Sequence, residues 1–142
     1  MTYTFSDFST LCACQALRQA ARKVSRRYDA ALRPVHLSAG QFTTLAALLR
    51  PDPVSISILA EQLGMDRTTL TRDLKPLERR ELVTSQSGTE DARVRQVALT
   101  NAGRDLLMEA IPLWEVAQRQ TKKEMSDVDW RELRNDLILL TE

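Results

Sequence analysis

Arginine and threonine side chains are concentrated in one short stretch of the chain. The residues concerned are Arg67, Thr68, Thr69, Thr71 and Arg72. Leu70, Leu74 and Leu77 recur at helical spacing, so they predict a buried stripe that leaves the Arg/Thr residues at the exposed N-terminal end of the helix. Arginine can bind guanine through two hydrogen bonds, and threonine offers a hydroxyl and a methyl that suit thymine. This face therefore predicts contacts with bases in the major groove of DNA.

A second basic group follows in a segment with strand-like patterning. The β-branched stretches 82–86 and 94–100 flank the polar segment 87–93, which predicts a hairpin with an exposed tip. Arg93 and Arg95 are two residues apart, so strand alternation predicts that they share one face. Asp91 is positioned to orient the Arg93 guanidinium by a charged hydrogen bond. Such a tip could lie along the phosphates or enter a narrow minor groove, which attracts arginine.

Capping residues define the short helices that would position these groups. Ser38 and Gln41 form a capping-box pattern for a helix through Leu49, and Ser55 begins a helix over Ile56–Leu63 that ends at Gly64. Asp66 then caps a helix from Arg67 to about Arg80, in which Pro76 predicts a bend or a loosened hydrogen bond. Two short helices joined by a tight turn predict a helix-turn-helix.

Longer helices are predicted at both ends of the chain. One runs from about Phe8 to Leu32, a second begins at Thr100 and continues to about Met125, and Ser126 caps the last. Their apolar stripes exceed what one small domain needs, which predicts a homodimer interface; the alternative is that they pack only within one chain. The predicted fold is mainly α with a small β-hairpin, in one domain over residues 1–142. Residues 38–100 would form a winged helix-turn-helix, and residues 5–33 and 101–142 the dimerisation helices.

Composition restricts the classes of function. The chain has 142 residues and a net charge of +1, so any positive surface must be local. It holds one histidine, no glycine-rich phosphate loop and no zinc-ligand spacing, so we expect no enzyme, no cofactor and no metal. A long helix separates Cys12 and Cys14 from His36, so the three residues could not bind one metal within one subunit. The absence of a signal sequence and of an 18-residue apolar run predicts a cytoplasmic protein away from membranes.

Two longer motifs strongly resemble the MarR (multiple antibiotic resistance regulator) family. They are LAEQLGMDRTTLTRDLKPLERRELV and DARVRQVALTNAGRDLL. The family's Asp-x-Arg wing and Leu-Thr-x-x-Gly helix start are matched by Asp91, Arg93, Leu99, Thr100 and Gly103. The resemblance covers nearly the whole chain. It implies a homodimer on a pseudo-palindromic operator in double-stranded DNA, usually a repressor that a small ligand or an oxidant releases. Glu81 departs from the pattern, because the family usually has glycine there.

Two kinds of switch follow from the N-terminal residues. The segment Cys14–Leu17, with Arg22 and Tyr28 after it, resembles the reactive-cysteine helix of the organic hydroperoxide sensors in this family. The resemblance implies a Cys14 thiolate that is oxidised and held by Tyr28, although Arg18 and Ala39 stand where other tyrosines are expected. Cys12 and Cys14 could instead be small packing residues.

The other switch is a small anionic or aromatic effector, for which Arg22, Arg26 and His36 are candidate binding groups. A merely solvated basic face explains the same arginines. Two further alternatives remain from the residues alone: an architectural protein that binds DNA without sequence preference, and a winged helix that binds only protein.

Overall fold

A computed structural model describes residue 2 and residues 4–141, so the predicted boundaries at residues 1 and 142 lie outside it. The fold class is confirmed: the described chain is mainly helical, with a small antiparallel sheet. The helices are α1 (Phe5–Leu11), α2 (Ala13–Leu32), α3 (Ala39–Ala47), α4 (Ile56–Leu63), α5 (Arg67–Arg79), α6 (Asn101–Glu124) and α7 (Trp130–Ile138). The strands are β1 (Val54–Ser55), β2 (Val83–Ser87) and β3 (Arg95–Leu99), and a 3₁₀ turn (Arg33–Val35) follows α2.

The predicted caps of the short helices are confirmed. Ser38 and Gln41 form a reciprocal capping box at α3, and the Ser55 hydroxyl accepts a hydrogen bond from the Ile58 amide at α4. Gly64 ends α4 in the left-handed conformation, with φ 64°. Asp66 begins α5, which continues through Pro76 to Arg79. Each of these caps is a local interaction, which is why residue type and spacing predict it.

The predicted continuous helix from Phe8 to Leu32 is wrong. The chain instead forms α1 and α2, with Cys12 between them in an extended conformation, ψ 106°. The Cys12 thiol accepts a hydrogen bond from the Gln15 amide at 3.4 Å, so Cys12 caps a new helix. Periodicity did not reveal the break because the apolar spacing continues across it.

Boundaries also differ at the other end of the chain. Ser126 does not cap the last helix; Asp129 does, and its carboxylate accepts from the Arg131 and Glu132 amides at 2.8 and 3.3 Å. One carboxylate accepts hydrogen bonds from two of the free amides at the helix N-terminus, which is more than a serine hydroxyl satisfies. α3 ends at Ala47, two residues before the predicted end.

The sheet has the strand order β1-β3-β2, with both pairings antiparallel. The hairpin pairs Val83 with Leu99 and Ser85 with Val97. β1 was not predicted, because two residues are too short to show alternation. It places Val54 opposite Val97 and so ties the start of α4 to the hairpin.

One apolar core joins these elements. Leu70, Leu74 and Leu77 of α5 are almost wholly buried, together with Leu59 of α4 and Val97 of β3. Burial of a leucine side chain stabilises a fold by about 1.5–3 kcal/mol, so this stripe fixes which face of α5 points outward. The α3 and α6 helices are joined by stacking of Phe42 on Trp114, with ring centroids 5.8 Å apart.

Candidate nucleic-acid interface

The exposed face of α5 is set by its N-terminal cap. The Asp66 carboxylate accepts from the Thr69 amide at 2.8 Å and from the Thr69 hydroxyl at 2.7 Å. The hydroxyl bond first, and then the amide bond, lower the pKa of Asp66 below its ordinary value. A charged carboxylate at a helix N-terminus also interacts favourably with the helix dipole. Asp66 therefore fixes the helix start.

Basic and hydroxyl side chains meet on the outward face of α5. Arg67, Thr68, Thr71, Arg72 and Lys75 line one shallow depression, and all five are exposed. The Thr71 hydroxyl donates to the Arg67 carbonyl at 2.8 Å, and the Arg72 guanidinium lies 3.3 Å from the Asp73 carboxylate. Four of the five residues predicted on this helix are thus together on one surface.

The observed surface differs from the predicted one at two residues, Thr69 and Lys75. Thr69 is half-buried and its hydroxyl is bonded to Asp66, so it lies beside the face rather than on it. Lys75 lies on the face, although it was not among the predicted residues. Its position one turn after Thr71 was the available signal, since residues four apart share a helix face.

The hairpin tip presents Arg93 to solvent. Its side chain is 92% exposed, and the Asp91 carboxylate accepts from the Arg93 amide at 3.0 Å and from its Nε at 3.3 Å. Gly88 closes the tip, because a Cβ there would lie 2.8 Å from the Asp91 carbonyl. The contact between Asp91 and Arg93 is therefore present in the structure.

Arg95 does not share a face with Arg93 through strand alternation. Arg93 lies in a turn, and Arg95 is the first residue of β3. Arg95 lines a cavity of about 220 Å³ between the hairpin and α5, with Lys75 and Glu78 among its neighbours. The Glu78 carboxylate in turn accepts from the Ser85 hydroxyl of β2. Arg95 thus lies at the tip end of β3, paired with Ser87, and its side chain lies beside α5.

The acidic residues of this region are mostly engaged locally. Asp66 bonds Thr69, Asp73 pairs with Arg72, Glu78 bonds Ser85, and Asp91 bonds Arg93. Arg67 and Lys75, by contrast, have no carboxylate partner among the described residues, and they place positive charge on the exposed face of α5 although the chain is nearly neutral. The positive surface arises from arrangement rather than from total charge.

The candidate effector groups are less concentrated. Arg22 and Arg26 lie one turn apart on the exposed face of α2, whereas His36 follows the 3₁₀ turn. Ten residues of helix separate Arg22 from Leu32, a distance of about 15 Å. His36 is exposed, and its φ of 54° is left-handed. The joint effector site of these three residues therefore stays a prediction.

The candidate redox residues are also apart. Cys14 is exposed and Cys12 is half-buried, so Cys14 is not packed in the core of one chain. Tyr28 lies fourteen residues after Cys14 on the same helix, about 21 Å away. Its hydroxyl donates to Gln118 of α6. Tyr28 therefore cannot hold the Cys14 thiolate of its own chain.

The described part of the chain contains no helix with both the length and the apolar character needed to cross a membrane.

The chain has a helix pair, a hairpin and a basic outward face on α5. Together these features define a winged helix-turn-helix protein. The sequence model of the MarR family matches residues 37–94. The M. tuberculosis transcriptional regulator MosR, in a crystal structure in complex with DNA, is 40% identical; the match covers 92% of this chain and 93% of MosR, with a TM-score of 0.82. The chain belongs to the MarR family, whose members are transcription regulators and not enzymes.

Other relatives agree with this assignment. The organic hydroperoxide resistance transcriptional regulator of Bacillus subtilis is 27% identical over 129 residues, which cover 91% of this chain and 86% of that protein. The transcriptional repressor CouR, in a structure bound to a 23-mer DNA duplex, is 25% identical; the match covers 99% of this chain and 96% of CouR, with a TM-score of 0.75.

Proposed function

We propose that the chain is a homodimeric repressor that binds a pseudo-palindromic operator in double-stranded DNA in the cytoplasm. Residues 38–100 form the DNA-binding part, and residues 5–33 and 101–142 the dimerisation helices. One observation carries the proposal: the outward face of α5 gathers Arg67, Thr68, Thr71 and Arg72 beside a hairpin whose tip exposes Arg93. MosR and CouR, which share this fold, have each been captured on DNA.

The residues divide into two roles. The first turns of α5 enter the major groove, where Arg67, Thr68, Thr71 and Arg72 read base edges, with Thr69 at the margin. The wing places Arg93, held by Asp91, on the phosphates or in the adjacent minor groove. Arg95, at the tip end of β3 and beside α5, adds to the local positive potential between the wing and the helix.

Selection of bound sequences from random DNA tests specific binding directly. The wild-type protein should enrich a two-fold symmetric site with half-site centres about 34–36 Å apart. An architectural protein would enrich no site and would bind random DNA with an affinity governed by salt alone. A protein-binding winged helix would retain no DNA at any salt concentration.

Arg93→Ala should weaken binding to the selected site by about 1–3 kcal/mol and leave the melting temperature unchanged. Arg72→Ala should instead change which base is preferred at one position of each half-site. Arg134→Ala removes the same charge from another element, α7, and serves as the control once its dimer mass is shown to equal that of the wild type. If Arg93→Ala binds as tightly as Arg134→Ala, the assignment of the wing is wrong.

A thiol switch is the second candidate mechanism, and the exposure of Cys14 favours it. The thiolate would attack the terminal oxygen of an organic hydroperoxide, giving a sulfenic acid and, with one proton, an alcohol. Because Tyr28 is out of reach in one chain, a contact from Tyr28 would come from the second subunit. Hydroperoxide should release DNA from the wild type but not from Cys14→Ser, with Cys12→Ser measured in parallel. Equal responses in wild type and Cys14→Ser would exclude this mechanism.

A small anionic or aromatic effector is the other candidate switch. Arg22 and Arg26 supply two exposed guanidinium groups one turn apart, and the exposed His36 is the third candidate group. Benzoate is a simple probe for such a site. It should release DNA from the wild type and much less from the double variant Arg22→Gln, Arg26→Gln. Equal release from both proteins would place the effector site elsewhere.

A further inference from the structure

The three residues after α5 bond to the 3₁₀ turn that follows α2 and to the residue that caps α6. We call Arg80, Glu81 and Leu82 the junction segment. The Arg80 guanidinium donates from Nη1 to the His36 carbonyl at 2.7 Å and from Nη2 to the Val35 carbonyl at 3.3 Å. These partners are 44 and 45 residues away in the chain. The end of the recognition helix is thus bonded to the 3₁₀ turn that directly follows α2.

The two carbonyls are suited to this contact. They belong to the 3₁₀ turn and the residue after it, where the last carbonyls of a helix have no partner within the helix. A guanidinium has a planar fork of donors that can bind two oxygens at once, and a cation is favourable at the C-terminal end of a helix. Lysine would supply the charge without the fork.

The start of α6 contacts the same segment from another side. The Thr100 hydroxyl donates to the Glu81 carbonyl at 2.7 Å, and the Thr100 amide donates to the Leu82 carbonyl at 3.1 Å. Gly103 allows this approach, because a Cβ there would lie 2.0 Å from the Leu82 oxygen. α6 therefore fixes one point of the junction segment.

We propose that Arg80 is a positioning residue that fixes the orientation of α5 relative to α2, and thereby sets the half-site spacing that the dimer recognises. The Thr100 bonds attach the junction segment to α6, and the hydrogen bond from Ser85 to Glu78 attaches α5 to β2. The apolar stripe fixes the buried face of α5, but apolar contacts are not directional and do not by themselves set its angle to α2. The two Arg80 bonds supply the directional attachment toward α2, through the 3₁₀ turn that follows it. A rotation of α5 in each subunit would alter the separation of the two recognition helices, which must match the helical repeat of DNA.

This proposal rests on the proposed function, since spacing has meaning only for a dimer on an operator. An arginine at the end of a recognition helix could instead bind a phosphate. The two roles differ in salt dependence. Loss of one phosphate contact makes the negative slope of log K against log salt shallower by about 0.9. Loss of a positioning contact leaves that slope unchanged.

The test uses full-length protein on the selected operator and on versions lengthened or shortened by one base pair. Arg80→Met removes the donors and keeps most of the side-chain length. Arg79→Met is the matched control: Arg79 is the preceding, equally exposed arginine, and its side chain forms no hydrogen bond within the described residues. Arg80→Lys keeps the charge. Melting temperature and dimer mass are measured for each variant.

We expect Arg80→Met to bind the operator about 3- to 30-fold more weakly, with the wild-type salt slope and a reduced preference for the native spacing. Arg80→Lys should be intermediate, and Arg79→Met should keep the native spacing preference. A lowered salt slope for Arg80→Met with full recovery in Arg80→Lys would overturn the proposal in favour of a phosphate contact.

Unchanged affinity and spacing preference in Arg80→Met would also overturn it. If Arg80→Met does not form a dimer, the spacing preference of Arg80→Lys decides, and an unaltered preference counts against the proposal. Failure of the proposed function is distinct, since the wild-type protein would then select no operator.

Discussion

Glu81 adopts a backbone conformation that its side chain disfavours. Its φ is 57°, in the left-handed region. The Leu82 amide donates to the Leu77 carbonyl at 3.0 Å and the Glu81 amide to the Glu78 carbonyl at 2.9 Å, so the chain ends α5 with the bonds of a Schellman motif. The resemblance to the family predicts glycine at this position. The structure shows that glutamate takes the glycine conformation and that the turn is kept.

Glu81→Gly should therefore stabilise the protein. Relief of the left-handed strain favours the variant by about 1–2 kcal/mol, and the extra freedom of glycine in the unfolded chain offsets part of this gain. We expect a net increase of about 0.5–1 kcal/mol in the free energy of unfolding, measured by denaturant titration. Glu90→Gly, at a hairpin-tip position without positive φ, should give no increase. A less stable Glu81→Gly protein would contradict the assigned conformation.

Single residues differ in how far the sequence predicts their roles. Ser38, Ser55, Asp66 and Thr100 were predicted as caps because a cap bonds an amide two or three positions away. The place of Arg95 depends on where the hairpin packs against α5, and the partners of Arg80 are more than forty residues distant. No local pattern encodes such contacts.

At the scale of elements, a polar seam joins α2 to α6. The Arg27 side chain is only 13% exposed; it lies 2.5 Å from the Glu124 carboxylate and donates to the Thr121 hydroxyl at 2.9 Å. The Arg27 hydrogen bond is the main cause that lowers the pKa of Glu124, with the charges of Arg27 and Lys23 adding to it. This seam fixes the register of the two long helices.

The seam predicts a pH dependence of stability. A carboxyl whose pKa is lower in the folded state stabilises the protein above its unfolded pKa, and the contribution is lost as the pH falls through the folded value. Wild type should melt above Glu124→Gln at pH 7, and the difference should shrink below about pH 4.5, the ordinary value for this carboxyl. Glu115→Gln, which breaks an exposed pair with Arg119, should give a smaller difference at pH 7. A difference that stays constant to pH 3 would exclude the assigned pair.

Element types were predicted better than element ends. All the predicted helices of the DNA-binding part and the hairpin are present, because capped periodic segments and alternating strands are strong signals. The break at Cys12 and the cap at Asp129 were missed. A thiol is a weak acceptor and is not among the usual capping residues, and the chain offers Ser126, Asp127 and Asp129 as competing caps within four positions.

At the scale of the whole molecule, both ends of the chain leave large apolar side chains uncovered. α1 and α7 contain no buried residue. Phe5, Leu11 and Leu140 are 82, 78 and 70% exposed in the single chain. So many exposed apolar residues at two termini are unusual for a monomer and typical of an interface. A two-fold dimer would cover these side chains in both subunits, since a two-fold interface uses the same surface of each subunit.

The dimer interface can be tested by placing a charge within it. Burial of one leucine contributes about 1.5–3 kcal/mol, and two-fold symmetry doubles the loss, so Leu11→Glu or Leu140→Glu should raise the dimer dissociation constant by about 100-fold or more. Leu49→Glu, at an exposed leucine next to α3, should leave it unchanged. Sedimentation velocity over a range of concentrations measures the constant.

The affinity for operator DNA should fall as the dimer dissociation constant rises. A monomer presents one α5 and one Arg93, so its affinity for the full palindrome should fall towards its affinity for a half-site, although the α5 surface is intact. If Leu11→Glu and Leu140→Glu both remain dimers with full operator affinity, the termini do not form the interface. Two copies of α5 would then have to be held at operator spacing by some other surface.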